Sequence, residues 1–255
     1  MNIKLLFLLI MVSFFPWGHQ EACASEAPRP PQQDWPFKMV REGTFDRAAL
    51  QRGFQVYKQV CSSCHGMKHL AYRNLADLGF NEGEIKAIAA EYQLKDGPND
   101  EGEMFERNAL PGDRFVGPYL NEKAARAANN GAFPPDLSLI TKARPEGANY
   151  VYALLTGYET VPDGTKVQEG MYYNTYFAGH QIGMAPPLVD GLVTFADGTT
   201  PSVQQMAKDV VTFLSWAAEP EMEKRHQMGL MVLIFLSILT VLTYFVMRKV
   251  WKNVQ

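Results

Sequence analysis

Residues 61 to 65 read Cys-Ser-Ser-Cys-His, two thiols and an imidazole within one short stretch. That set supports three chemistries: a redox dithiol, half of a structural metal site, or a pair of thioether anchors for haem with a histidine beside them. The chain has 3 cysteines, and the third, Cys23, lies in a segment with the layout of an export signal. Without Cys23 there is no second cysteine pair to complete a four-ligand zinc site. A thioredoxin-type dithiol belongs near the start of a helix in a βαβ setting, and strand-like runs are scarce here. Cys-x-x-Cys-His is the attachment pattern of c-type haem, in which both thiols add to the vinyl groups and the adjacent imidazole is brought onto the iron. Covalent haem held by Cys61 and Cys64, with His65 as one axial ligand, is the chemistry these residues predict.

The sixth position on the iron decides what such a haem does. An open position permits ligand binding or peroxidatic chemistry, whereas a second strong protein ligand restricts the site to moving electrons. Of the 12 methionines, those in the leader, in the C-terminal apolar run and next to His65 are badly placed, as are Met206 and Met222 on the final helix and its exit. Met39, Met104, Met171 and Met184 remain. Met184 sits in "AGHQIGMAPPLVDGL", where Gly179 and Gly183 allow close backbone approach and Pro186-Pro187 stiffen the loop. His180, four residues upstream, is the rival ligand. His69 lies one helical turn beyond His65, on the same side of the ring.

The elements that must position these groups begin with the two ends of the chain. "MNIKLLFLLIMVSFFPWGHQEACAS" has a lysine, a short apolar stretch and Ala22-Cys23-Ala24, so residues 1–24 read as a signal peptide cleaved after Ala24. Residues 229–246 contain no charge, long enough to cross most of a ~30 Å hydrocarbon layer, and Arg248, Lys249 and Lys252 follow. The expected organisation is an exported domain at 25–223, a membrane anchor at 224–247 and a cytoplasmic tail at 248–255. Between the ends, helical spacing recurs in "FDRAALQRGFQVYKQV", in "GANYVYALLTGY" up to Gly157, and in "SVQQMAKDVVTFLSWAAEP" up to Pro220. The first of these helices runs straight into the Cys61 motif. The intervening segments, rich in Gly, Pro and Asn, read as long loops that need an apolar ligand to pack against.

"VCSSCHGMKHLAYRNL", "AARAANNGAFPPDLS", "YVYALLTGY", "GHQIGMAPPL" and "AKDVVTFLSWAAEPE", followed by a C-terminal anchor, resemble the cytochrome c1 family over nearly the whole mature chain. The resemblance implies a mainly α, class I cytochrome c fold with enlarged loops plus one C-terminal transmembrane helix. It implies one haem c, with Met184 as the sixth ligand, Arg144 near a propionate, and Tyr150 and Asn129 lining the pocket. Pro134 or Pro135 would offer the carbonyl that accepts the other N–H of His65. It further implies an electron-transfer subunit, with cytochrome b and a Rieske iron–sulfur subunit as neighbours in a quinol:cytochrome c oxidoreductase complex and a soluble cytochrome c as acceptor. A simple leader points to a bacterial cytoplasmic membrane with the haem domain in the periplasm.

Charge and connectivity bear on the alternatives. Residues 25–223 hold 26 of the 27 acidic and 18 of the 24 basic residues, and nine acids fall within 77–106. Such a surface either steers a basic partner or simply solvates an insertion. A free membrane-tethered shuttle would suit a long linker before the anchor, yet "SWAAEPEMEKRHQMGL" passes almost directly from one helix to the next. A haem sensor or enzyme with an exchangeable ligand would need an open iron, which Met184 opposes. The sequence contains no phosphate loop, Ser/His/Asp set or basic nucleic-acid stripe.

Overall fold

The computed structural model describes residues 27–38 and 43–252, so the expected leader, Met39 and the last three residues lie outside the described part. Mainly helical, it contains α1 (Arg47–Gln59), α2 (Glu82–Ala90), α3 (Glu122–Ala128), α4 (Ala148–Thr156), α5 (Val203–Ala218) and α6 (Met222–Trp251), joined by long irregular segments and short 3-10 turns. Two small antiparallel hairpins complete it: β1 (Gln93–Asp96) with β2 (Phe105–Asn108), and β3 (Tyr172–Tyr173) with β4 (Gln181–Ile182).

The three helices expected from spacing are α1, α4 and α5. Asp46 caps α1 by accepting from Ala48 N at 2.9 Å. Its buried Ala49, Leu50, Gly53, Phe54, Val56 and Tyr57 form one apolar stripe. Ser202 caps α5 by accepting from Gln205 N, and α5 ends just before the Glu219-Pro220 break. These two helices cross at Gly53, where an added Cβ would lie 2.1 Å from the Asp209 carbonyl oxygen; no side chain fits. Asp209, 1% exposed, is held beside the crossing by Arg52, whose Nε and Nη2 donate at 2.8 and 3.0 Å while Nη1 reaches Asp197 at 2.7 Å. Phe54 and Tyr57 of α1, Phe213 of α5 and Phe115 form an aromatic core, to which Tyr72 adds a ring stacked 4.5 Å from Phe115.

The acidic stretch is more ordered than its composition suggests. It holds α2, with Asn81 and Glu84 in a reciprocal capping box, and the β1–β2 hairpin, neither apparent from periodicity alone. Glu82 pairs with Lys86, Glu91 with Lys58, and Asp96 with Arg107, which also takes Asp113 in a two-point contact. Much of that charge therefore closes local structure.

Three residues separate α5 from the last helix. It has 30 residues and an apolar window of mean hydropathy 2.6 with none of it buried, so it is long and apolar enough to cross a membrane. Its base is docked on the domain: Met222 is buried, Glu223 accepts from Phe45 N at 2.6 Å, and Arg47 pairs with Glu223. Gly53→Ala should lower the unfolding free energy of the detergent-solubilised protein by at least ~2 kcal/mol, because α1 and α5 must separate. A thermal melt indistinguishable from wild type would show that the crossing is not a close contact.

Candidate functional site

The motif follows α1 as a 3-10 turn, Cys61–Ser63, closed by Cys64 N and His65 N donating to the Cys61 carbonyl at 3.1 and 2.9 Å. Cys61 and Cys64 are half-buried and unbridged. Burial, with the neighbouring Cys64 second, pushes the Cys61 thiol up to about 12. A redox dithiol relies on a thiolate of depressed pKa, the reverse of this environment.

His65 is fixed through a contact 70 residues distant in sequence. Its Nδ1 lies 2.7 Å from the Pro135 carbonyl oxygen, which can only accept, so Nδ1 carries the proton and the Nε2 lone pair is left for a ligand bond. Burial lowers the imidazole pKa despite that hydrogen bond, keeping the ring in its neutral, metal-binding form. The segment after Pro135 is laced to the segment after His65. Leu137 N donates to Gly66 O at 2.9 Å, Lys68 N to Asp136 Oδ2 at 2.9 Å and His69 N to Ser138 Oγ at 3.1 Å. On the other side Tyr57 OH donates to the His65 carbonyl at 3.2 Å. Of the two prolines the sequence offered, Pro135 is the one positioned to orient the ring.

Met184 is half-buried in the loop after β4. Tyr158, just past the end of α4, donates its hydroxyl to the Met184 carbonyl at 3.0 Å, and burial raises the pKa of that phenol, keeping it a donor. A Cβ at Gly183 would lie 3.1 Å from Ala132 Cβ and 3.6 Å from Met171 Sδ. The Met184 loop thus runs beside the 131–135 segment that holds His65, and Met171 packs against its backbone. Met104, 62% exposed before β2, packs into no such loop. His180 adopts φ 57, stacks on Tyr173 at 5.7 Å between centroids and has a buried Nδ1 with no hydrogen-bond partner among the described residues.

The remaining expected residues fall into two places. Asn129 ends α3, its amide donating to Ala125 O at 2.7 Å and Tyr119 OH at 3.0 Å, so it shapes the 129–135 turn locally. Arg144 is exposed and lies close enough to Tyr150 to oppose the rise in phenol pKa that burial causes there. Tyr57, Asp136, Ser138 and Tyr158 were not singled out from sequence; their only signal is a polar group next to a motif or a helix end.

The profile of the Cytochrome C1 family matches residues 35–254. The chain belongs to the cytochrome c1 family. It is 48% identical to a cytochrome c1 of Rhodospirillum rubrum over 88% of each chain. It is 49% identical to the Bradyrhizobium diazoefficiens protein named Cytochrome b/c1, over 92% of this chain but 37% of that one. A Candida albicans protein named Cytochrome b-c1 complex catalytic subunit is 48% identical over 89% of this chain and 78% of its own length. Membership implies haem c, and the residues fit it: two unbridged thiols, a neutral imidazole with a free Nε2, and a thioether on a tethered loop alongside.

Tyr158→Phe should leave the His65–Pro135 contact intact and free the Met184 loop, costing about 1 kcal/mol of stability. Hydrogen exchange at the amides of residues 183–185 should quicken. Unchanged exchange there would show that the Tyr158 hydroxyl does not restrain the loop.

Proposed function

We propose that this chain is the haem c subunit of a quinol:cytochrome c oxidoreductase, taking electrons from a Rieske iron–sulfur subunit and passing them to a soluble cytochrome c. The observation that carries the reading is the His65 ring, oriented by Pro135 with Nε2 free, beside two unbridged thiols. A haem held there supplies one-electron redox chemistry. Cys61 and Cys64 would anchor it as thioethers, and His65 Nε2 and the Met184 thioether would supply the protein ligands to its iron. Tyr158 restrains Met184 from behind, which favours a closed, electron-transferring site over one with an exchangeable ligand. Arg144, which lies near Tyr150, would meet a propionate.

Several features support a place inside a larger membrane complex. The Candida relative is named as a subunit of a cytochrome b-c1 complex, and the Bradyrhizobium relative is named Cytochrome b/c1. Three residues separate α5 from α6, and the Glu223 contacts fix the domain to its anchor, which suits a docked subunit better than a swinging tether. Cytochrome b is the expected neighbour in the bilayer. With its leader removed, the protein would present its haem domain to the periplasm of a bacterium and keep the basic tail in the cytoplasm.

Two sets of variants test the site. Cys61→Ser and Cys64→Ser should each remove or weaken haem that survives a denaturing gel; full staining of both would rule out thioether anchoring. Met184→Leu should keep the haem attached, lower its potential and admit carbon monoxide, whereas Met171→Leu and His180→Ala should do neither, since a thioether favours the reduced iron. Transfer of both effects to His180→Ala would reassign the ligand. Recovery of the protein from membranes in mild detergent without b-type haem or an iron–sulfur partner would favour a free tethered cytochrome instead.

A further inference from the structure

A cleft away from the haem-binding residues lies where the extramembrane domain meets the first turn of α6. It has a volume of about 360 Å³, and none of the site residues above lines it. That size falls within the ~300–1,000 Å³ range of small-ligand sites. Its floor is apolar, with Phe37 and Met222 both buried. Its rim is cationic: Lys38, Lys142 and Arg225 line it against a single carboxylate, Glu219. Glu219 pairs with Lys142 at 3.0 Å and also with Arg225, so two cations share one acid, while Lys38 has no carboxylate partner among the described residues. His226 completes the lining, and its buried Nδ1 has no hydrogen-bond partner among the described residues. With its proton on Nδ1, this imidazole can donate to an acceptor seated in the cleft.

Depth identifies the source of that acceptor. The uncharged run of α6 begins at Gly229, three residues after His226, which at 1.5 Å per residue puts the imidazole about 4.5 Å above the hydrocarbon edge. The polar headgroup layer is roughly 5–8 Å thick on each side of the bilayer. The cleft therefore opens at headgroup height, with its apolar floor continuous with the helix that enters the lipid. A free anion would leave that floor unused, and a neutral lipid would leave the excess positive charge of the rim unanswered.

We propose that this cleft binds one anionic phospholipid from the leaflet on the domain's side, its phosphate held by Lys38 and His226 and its glycerol end lying on Phe37 and Met222. The proposal needs only that α6 is the anchor and does not depend on the electron-transfer reading.

The test uses the full-length protein with its co-purifying subunits, stripped of lipid in detergent and offered phosphatidylglycerol and phosphatidylcholine in equal amounts, with bound lipid measured by native mass spectrometry. Wild type should retain one phosphatidylglycerol in preference to phosphatidylcholine. Lys38→Ala, at an exposed position that should not disturb folding, should weaken retention about fivefold, the loss expected of one basic residue at an anionic surface. His226→Leu should also weaken it, while Lys224→Ala, whose ammonium pairs with Glu221, should not. Equal retention of the two lipids, or of phosphatidylglycerol by wild type and both cleft variants, would overturn the proposal. Displacement of the lipid by millimolar inorganic phosphate would reassign the cleft to a free anion. Cross-linking from position 38 to a co-purifying polypeptide would reassign it to a protein contact.

Discussion

The crossing of α1 and α5 at Gly53 is the contact on which the rest of the molecule depends. The Cys61 motif leaves the end of α1, and the membrane helix leaves the end of α5, so the distance between those two helices sets where the site sits relative to the bilayer. With no Cβ at residue 53, the backbones close to a separation that any side chain would forbid. Arg52 and Asp209 occupy the same crossing, and a buried carboxylate with two guanidinium bonds would be costly to leave unpaired. A glycine and an adjacent ion pair thus fix both the closeness and the register of the two helices.

Around that crossing the chain uses side-chain-to-backbone bonds where other proteins use sheet. Asp136, Ser138 and Asn174 each hold loop backbone directly. Asn174 is fully buried, donates to Leu154 O at 2.8 Å and accepts from Tyr176 N. Buried loop amides must find partners, and polar side chains placed at turns supply them without regular structure. These bonds tie residues 136–138 to residues 68–69 and Asn174 to α4, while the Gly183 backbone closes on Ala132. The haem expected of the family would add apolar surface to the same loops, and their order would then report on the cofactor as well as on the sequence.

The surface shows the same economy. Half-exposed Arg107 gathers Asp96 and Asp113, Lys58 takes Glu91, and Glu223 ties the start of α6 to Phe45 and Arg47. Exposed pairs of this kind stabilise little individually. Their value lies in closing a hairpin and in setting the angle at which the domain meets the membrane helix. Negative charge in the 77–106 region that has no ion-pair partner among the described residues, such as Asp100, Glu101 and Glu106, is available to a basic partner only after this internal use.

By itself the sequence determined what is local or covalent in kind. Two thiols and an imidazole in Cys-x-x-Cys-His, apolar spacing in α1, α4 and α5, and an uncharged run long enough to cross a bilayer are all readable within one window, because each depends on neighbours within a turn or a span. Short α2, α3 and the β1–β2 hairpin escaped, since caps and cross-strand pairs carry little periodic signal. Tertiary structure decided the contacts between distant windows. It selected Pro135 over Pro134 for His65 across 70 residues, set Tyr158 behind Met184 across 26, and made Gly53 meet Asp209. Such pairings depend on where whole helices and loops come to rest, and no spacing along the chain encodes that directly.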